Sequence, residues 1–179
     1  QRRRRCAQSV DIDGGESPIT ENGNEVFRNI KNGNGTFVTA ADAGNGGSGV
    51  ISAGEVTSVS DWNSISGSRN FSIQFTSATT YDVYQDGNAT PIQSGTYSAG
   101  GNIELSGYGV QFSIAGTPAS GDTFTLEASK NQDIFSTLGA FSDALNAYST
   151  DSAGTGQAAF QNQLNGVMQN LDNALSQVL

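Results

Sequence analysis

Asp133-Ile-Phe-Ser-Thr-Leu-Gly-Ala-Phe-Ser-Asp-Ala-Leu-Asn-Ala-Tyr148 and, beyond a polar break, Phe160-Gln-Asn-Gln-Leu-Asn-Gly-Val-Met-Gln-Asn-Leu-Asp-Asn-Ala-Leu-Ser-Gln-Val178 decide how this chain is read. In the first run Ile134, Leu138, Phe141, Leu145 and Tyr148 follow a 4-3-4-3 spacing. In the second, Phe160, Leu164, Val167, Leu171, Ala174 and Val178 resume it. A seven-residue repeat lays one apolar stripe along a helix. Such a stripe needs a cover, because protein helices gain most of their stability from packing that face. The spacing predicts helices over 131–148 and 157–179, the second roughly 35 Å long at about 1.5 Å per residue. Ser129, with Gln132 three residues on, reads as a capping box that starts the first helix. Gly139 and Gly166 cost about 1 kcal/mol each inside helices, so they predict places where a neighbouring backbone comes close.

The stripe is still in phase at Leu179, with no Gly or Pro stop after it. That pattern, with a chain beginning on Gln1, predicts a piece of a longer protein whose last helix continues into an assembly. Ile134, Leu138, Phe141, Leu145, Phe160, Leu164, Val167, Leu171 and Val178 are the candidate packing-interface residues. The two helices, joined by 149–156, can also fold on each other as a hairpin and leave part of the second uncovered. In an isolated chain the expected consequence is fraying after about Asn165, or dimerisation.

Composition points away from chemistry. Hydrophobic residues make up 35% and charged residues 14%, below the usual ~45–50% and ~25% of globular domains. Gly, Ser, Thr and Asn fill the difference, as in turn-dense β proteins. Net charge is −9; without Arg2–Arg5 it is 4 basic against 17 acidic residues, or −13. So acidic a body repels phosphate backbones, which argues against nucleic acid. The chain has no His, and its one cysteine, Cys6, permits neither an intrachain disulfide nor a Cys–His pair. No Ser has a visible base, and no carboxylates form a convincing pair. Neither catalysis nor a cofactor is expected. No transmembrane run and no secretory signal are visible, so no membrane association is expected.

Residues 1–25 read as polar turns with short extended pieces around Ser9–Ile12 and Pro18–Thr20; Asp11–Glu16 lacks the ligands of a calcium loop. Asn24–Lys31 is either a helical turn or a strand entry, and Thr36–Thr39 a short strand. Gly44-Asn-Gly-Gly-Ser-Gly49 fits G-x-G-x-x-G, but no helical pattern follows, so it reads as a flexible turn with no phosphate. From Arg69 a period of two sets in. Phe71, Ile73 and Phe75 alternate with polar residues, as do Tyr81 and Val83, Ile103 and Leu105, Val110, Phe112 and Ile114, then Phe124, Leu126 and Ala128. Short strands with no helix between them predict an antiparallel sandwich or open barrel. The whole is α+β: a β-rich domain over 1–130 and a helical part of an inner bundle over 131–179.

Tyr108-Gly-Val-Gln-Phe-Ser-Ile-Ala-Gly-Thr-Pro-Ala-Ser-Gly-Asp-Thr-Phe-Thr-Leu-Glu127 resembles the G-V-x-[FV]-x-I-x-G-x-P-x-x-G-D-x-F-x-L segment of bacterial flagellar hook-associated proteins. Asp133-Ile-Phe-Ser-Thr-Leu138, Ala144-Leu145 and the Asn/Gln/Leu-rich last helix look more like hook-associated protein 3 than hook-associated protein 1. Val26-Phe27, Gly33–Val38 and Tyr81–Val83 also fit, so the resemblance spans about 24–179. It implies a flagellin-related subunit of the hook–filament junction, with an inner helical bundle carrying an outer β domain. The implied partners are hook-associated protein 1, flagellin, copies of itself in a ring and a flagellar export chaperone. The implied location is outside the bacterial cell, reached by flagellar type III export without a cleaved signal peptide. Arg2–Arg5 and Cys6 depart from the family. The rival reading is an extracellular β-sandwich binding or adhesion module using Trp62, Tyr81, Tyr84, Tyr97 and Tyr108, and a closer rival is hook-associated protein 1 itself.

Overall fold

The computed structural model describes residues 8–10, 16–18, 27–149, 151 and 153–178. Arg2–Arg5, Cys6 and the 11–15 part of the weighed calcium loop lie outside the described residues. The strands are β1 (Gln8–Val10), β2 (Glu16–Pro18), β3 (Ile30–Lys31), β4 (Phe37–Ala41), β5 (Val50–Ile51) and β6 (Glu55–Val56). After helix α1 (Val59–Ser64) come β7 (Asn70–Ser77), β8 (Thr80–Gln85), β9 (Gln93–Thr96), β10 (Asn102–Leu105), β11 (Val110–Ala115), β12 (Thr123–Ala128) and β13 (Asn131–Gln132). Helices α2 (Ile134–Ala147) and α3 (Thr155–Val178) complete the order.

The alternating runs form the expected sandwich. One sheet has five antiparallel strands in the order β4-β12-β7-β8-β9; the other is β10-β11-β5, with β6 also on β11. A period of two sends every second side chain inward. Phe71, Ile73 and Phe75 are therefore buried while Gln74 and Thr76 are exposed. Register places Phe124 between Ile73 and Ala41. From the facing sheet come Ile103, Leu105, Val110, Phe112 and Ile114, all buried. Phe75 is ringed by Tyr81, Tyr97 and Phe124 at centroid distances of 6.1, 5.1 and 5.8 Å.

One element is new to the sequence reading and two expectations are corrected. Helix α1 was invisible, because six residues are too few to show a period. Its cap Ser58 accepts from the Asp61 amide, and Trp62 sits against Phe37 at 5.7 Å. The Ser129–Gln132 capping box does not form. Asn131 and Gln132 pair instead with Lys31 and Ile30, and the Ser129 hydroxyl donates to the Asn32 carbonyl at 2.8 Å. This pairing makes Ile30–Lys31 a strand, while Phe27 and Arg28 just before it are helical, so both readings of Asn24–Lys31 hold in part. It also moves the helix start to Asp133, whose carboxylate accepts from the Ser136 amide at 2.7 Å. That bond holds the Asp133 carboxyl below its ordinary pKa. Finally, Gly139 and Gly166 meet no close backbone: a Cβ at either would have nothing within 4 Å.

Candidate assembly interface

Helix α2 packs on α3, and α3 in turn lies along β3, β4 and β5. The turn between the helices is built on Asp151. Its carboxylate accepts from the amides of Ala153 and Thr155, from the Thr155 hydroxyl and from the Gly156 amide, at 2.6–3.0 Å. Four donors favour the charged form, and they hold this carboxyl down to about 2. The cap also places a negative charge at the positive end of the α3 dipole. Tyr148 closes the hairpin end against Phe160, ring centroids 5.0 Å apart.

Within the hairpin the inward positions belong mostly to small residues. Thr137 and Ala144 on α2, and Ala158, Val167 and Ala174 on α3, are buried. Of the predicted stripe, Ile134, Phe141, Phe160, Leu164 and Leu171 are half-buried and Val167 is buried. Leu138 and Leu145 are instead 49% and 52% exposed. At about 100° per residue the buried line through Thr137 and Ala144 lies roughly 70° from the centre of the predicted stripe. Small side chains let the helices approach closely, so the larger leucines are turned onto the shoulder. Phe135, Met168 and Leu175, which the seven-residue reading omitted, are also exposed. On α3, Leu164, Met168, Leu171 and Leu175 fall within an arc of roughly 60°, on the side opposite Asn162, Asn170 and Asn173, which bond to the β body. The signal for the extra residues was present as an apolar arc wider than a strict heptad seam.

Among the described residues of the β body, Val59 and Ile92 are exposed, while most of the aromatic side chains are packed inside. Trp62 is buried under the Arg69 guanidinium, whose centre is 5.4 Å from the ring. Tyr108 stands edge-on to Phe71 at 5.0 Å, and Tyr97 is edge-on to Phe75. Burial pushes the Tyr81 and Tyr97 hydroxyls upward in pKa. Of the five aromatics weighed for ligand binding, Trp62, Tyr81, Tyr97 and Tyr108 are thus committed to packing.

The Gly44–Gly49 loop has an anion of its own, and it is not a flexible turn. Buried Asp122 accepts from the amides of Gly46 at 2.8 Å, Gly47 at 3.1 Å and Ala119 at 2.9 Å. Asn45 bonds both the N–H and the C=O of Thr123. A Cβ on Gly47 would lie 2.6 Å from an Asp122 oxygen and from the Thr117 carbonyl, which explains the glycine. The cradle that such loops offer to phosphate is filled here by a side chain of the same fold. Among the described residues no group of three or more Cys, Asp or Glu is placed to hold a metal, and no helix is long and apolar enough to cross a membrane.

The chain matches no protein-family model and no curated protein sequence. Among solved structures it is similar to Xanthomonas campestris FlgL, with a TM-score of 0.82 and 34% identity over 96% of this chain and 53% of that one. It is also similar to the flagellar junction protein FlgL from Legionella pneumophila, with a TM-score of 0.77 and 23% identity over 96% of this chain and 62% of that one. A flagellar hook associated protein-3 from the same organism gives 0.75 and 24%, over 96% and 58%. The Legionella likenesses establish the fold; the Xanthomonas likeness adds kinship in sequence. The chain spans about half the length of the Xanthomonas protein.

Proposed function

We propose, from the premise that this chain is a relative of the flagellar junction protein FlgL, that it belongs to a structural subunit of the hook–filament junction. Residues 1–130 then act as an outer β domain, and 131–179 as part of an inner helical bundle. The observation that carries this reading is the exposed apolar face of the hairpin, with Phe135, Leu138, Leu145, Met168 and Leu175 about half or more exposed, beside a β body whose large apolar residues are mostly buried. Helical segments of the longer subunit cover that face, and subunits so completed stand side by side in a ring outside the cell. Hook-associated protein 1 lies on one side and flagellin on the other, after type III export with a flagellar export chaperone. The role asks for shape and surface and requires no catalytic group.

The test is Leu138→Asp combined with Leu145→Asp in the complete subunit, because both residues are about half exposed and their replacement should leave the sandwich intact. Binding to purified hook-associated protein 1 and ring formation should fall at least tenfold. Trp62 emission, which reports the β core, should stay unchanged. Normal assembly by the double variant would sink the proposal.

A further inference from the structure

Helix α3 carries a second working face that the apolar stripe does not use. Asn162, Asn170 and Asn173 fall within an arc of roughly 80° around the helix, about 130° from the line of Phe160, Leu164, Val167 and Leu171. Each closes on main chain of the β body more than a hundred residues away. Asn162 accepts from the Ile51 amide at 2.9 Å and donates to the Gly49 carbonyl at 3.0 Å. It thereby meets β5 much as a neighbouring strand would. Asn170 accepts from the Gly33 amide at 2.9 Å, and Asn173 donates to the carbonyls of Lys31 and Gly33 at 2.7 Å each. Gly33 itself has φ +63 and is packed so tightly that an added Cβ would lie 2.7 Å from the Val38 Cα. The turn that presents these groups is therefore held firmly. Asparagine is a poor helix former, so its repetition on this face is explained by what it touches.

The geometry points to Asn162, Asn170 and Asn173 as positioning residues that hold α3 helical, at a set angle on the β body, before any partner covers the outward apolar face. This goes beyond the proposed function and holds whichever helices or subunits later pack there. Helix α2 touches the rest of the fold mainly through α3, which makes α3 the strut. A preformed face lowers the ordering cost of association. It also reverses the expectation of fraying after Asn165, since two of the three anchors lie beyond that point.

Hydrogen exchange on the monomeric full chain tests this without reference to assembly. In a variant carrying Asn162→Ala, Asn170→Ala and Asn173→Ala, alanine raises intrinsic helicity, so a helix indifferent to the clamps would gain protection. The expected result is the opposite: amides of 162–175 exchange at least tenfold faster, while those of β7, β8 and β12 keep their rates. Unchanged or slower exchange in α3 would overturn the inference. So would an equal acceleration throughout the β body, which would make the asparagines general stabilisers. Should the triple variant fail to fold, Asn173→Ala alone is read the same way. Faster exchange confined to the last turns of α3 supports the inference, and no change refutes it.

Discussion

In the β body the bulkiest side chains are the deepest: Phe37, Phe124, Leu126, Ile73 and Leu105 have no exposed surface. In the helical hairpin the order is reversed. Ala144, Ala158 and Ala174 are within 6% of full burial, whereas Phe135, Leu138, Leu145, Met168 and Leu175 are 49–66% exposed. A period-two strand sends alternate residues to one face, and the opposite sheet covers them all. A hairpin of two helices buries only the strip where they touch, and an apolar arc wider than that strip is left over. Contiguous exposed apolar surface of this kind marks a site of interaction. One region buries most of its large apolar residues by itself; the other, on the function proposed above, keeps them for a neighbour.

The largest expected difference between the regions lies in truncation. Phe124→Ala should destabilise by about 3–5 kcal/mol, through lost transfer energy and a cavity the paired strands cannot close. Leu138→Ala, on the exposed shoulder, should cost about 1 kcal/mol or less in the isolated chain. Urea unfolding followed by Trp62 emission and far-ultraviolet dichroism compares them. Equal costs would mean that the hairpin face is already covered.

A smaller effect, of opposite sign, is expected at Gly139. With nothing within 4 Å of a Cβ there, Gly139→Ala should stabilise the hairpin by about 1 kcal/mol through helix propensity and reduced freedom of the unfolded chain. Thermal unfolding measures it. Destabilisation would mean that the space serves a close contact in the isolated chain as well.

The smallest and most local effect concerns acid. The Asp151 carboxyl has a folded pKa of about 2, below its ordinary 3.8, because it accepts from the start of α3. A carboxyl depressed on folding lends its stability above the unfolded value and loses it as pH falls through the folded one. The first turn of α3 should therefore loosen as pH drops from about 4 to about 2, as nuclear magnetic resonance of the Ala153–Gly156 amides would show. Asp151→Asn should flatten that response, while the β core, with no part in this cap, stays indifferent.

Much of this architecture was legible from local pattern. Strands β7, β8, β10, β11 and β12 stood out because alternation is imposed residue by residue. The Tyr108–Glu127 segment resembled a flagellar family, and the comparisons bear that kinship out. Elements whose reasons lie elsewhere in the chain were missed. Helix α1 is held by a cap and one buried tryptophan, and β9, with Ser94 and Gly95, has too little apolar content to alternate. Ser129 and Gln132 have the letters of a cap, but pairing with β3 competes for them and wins.

The sequence by itself determined that there would be an antiparallel β body followed by two amphipathic helices, because side-chain period and turn chemistry act over a few residues. Only the tertiary structure decided which way the helices face. On α2 it is Thr137 and Ala144 that are buried and Leu138 and Leu145 that are exposed, and Asn162, Asn170 and Asn173 fasten α3 to main chain more than a hundred residues distant. Such choices depend on partners that no local spacing records: a helix's rotation about its own axis is set by whatever packs against it.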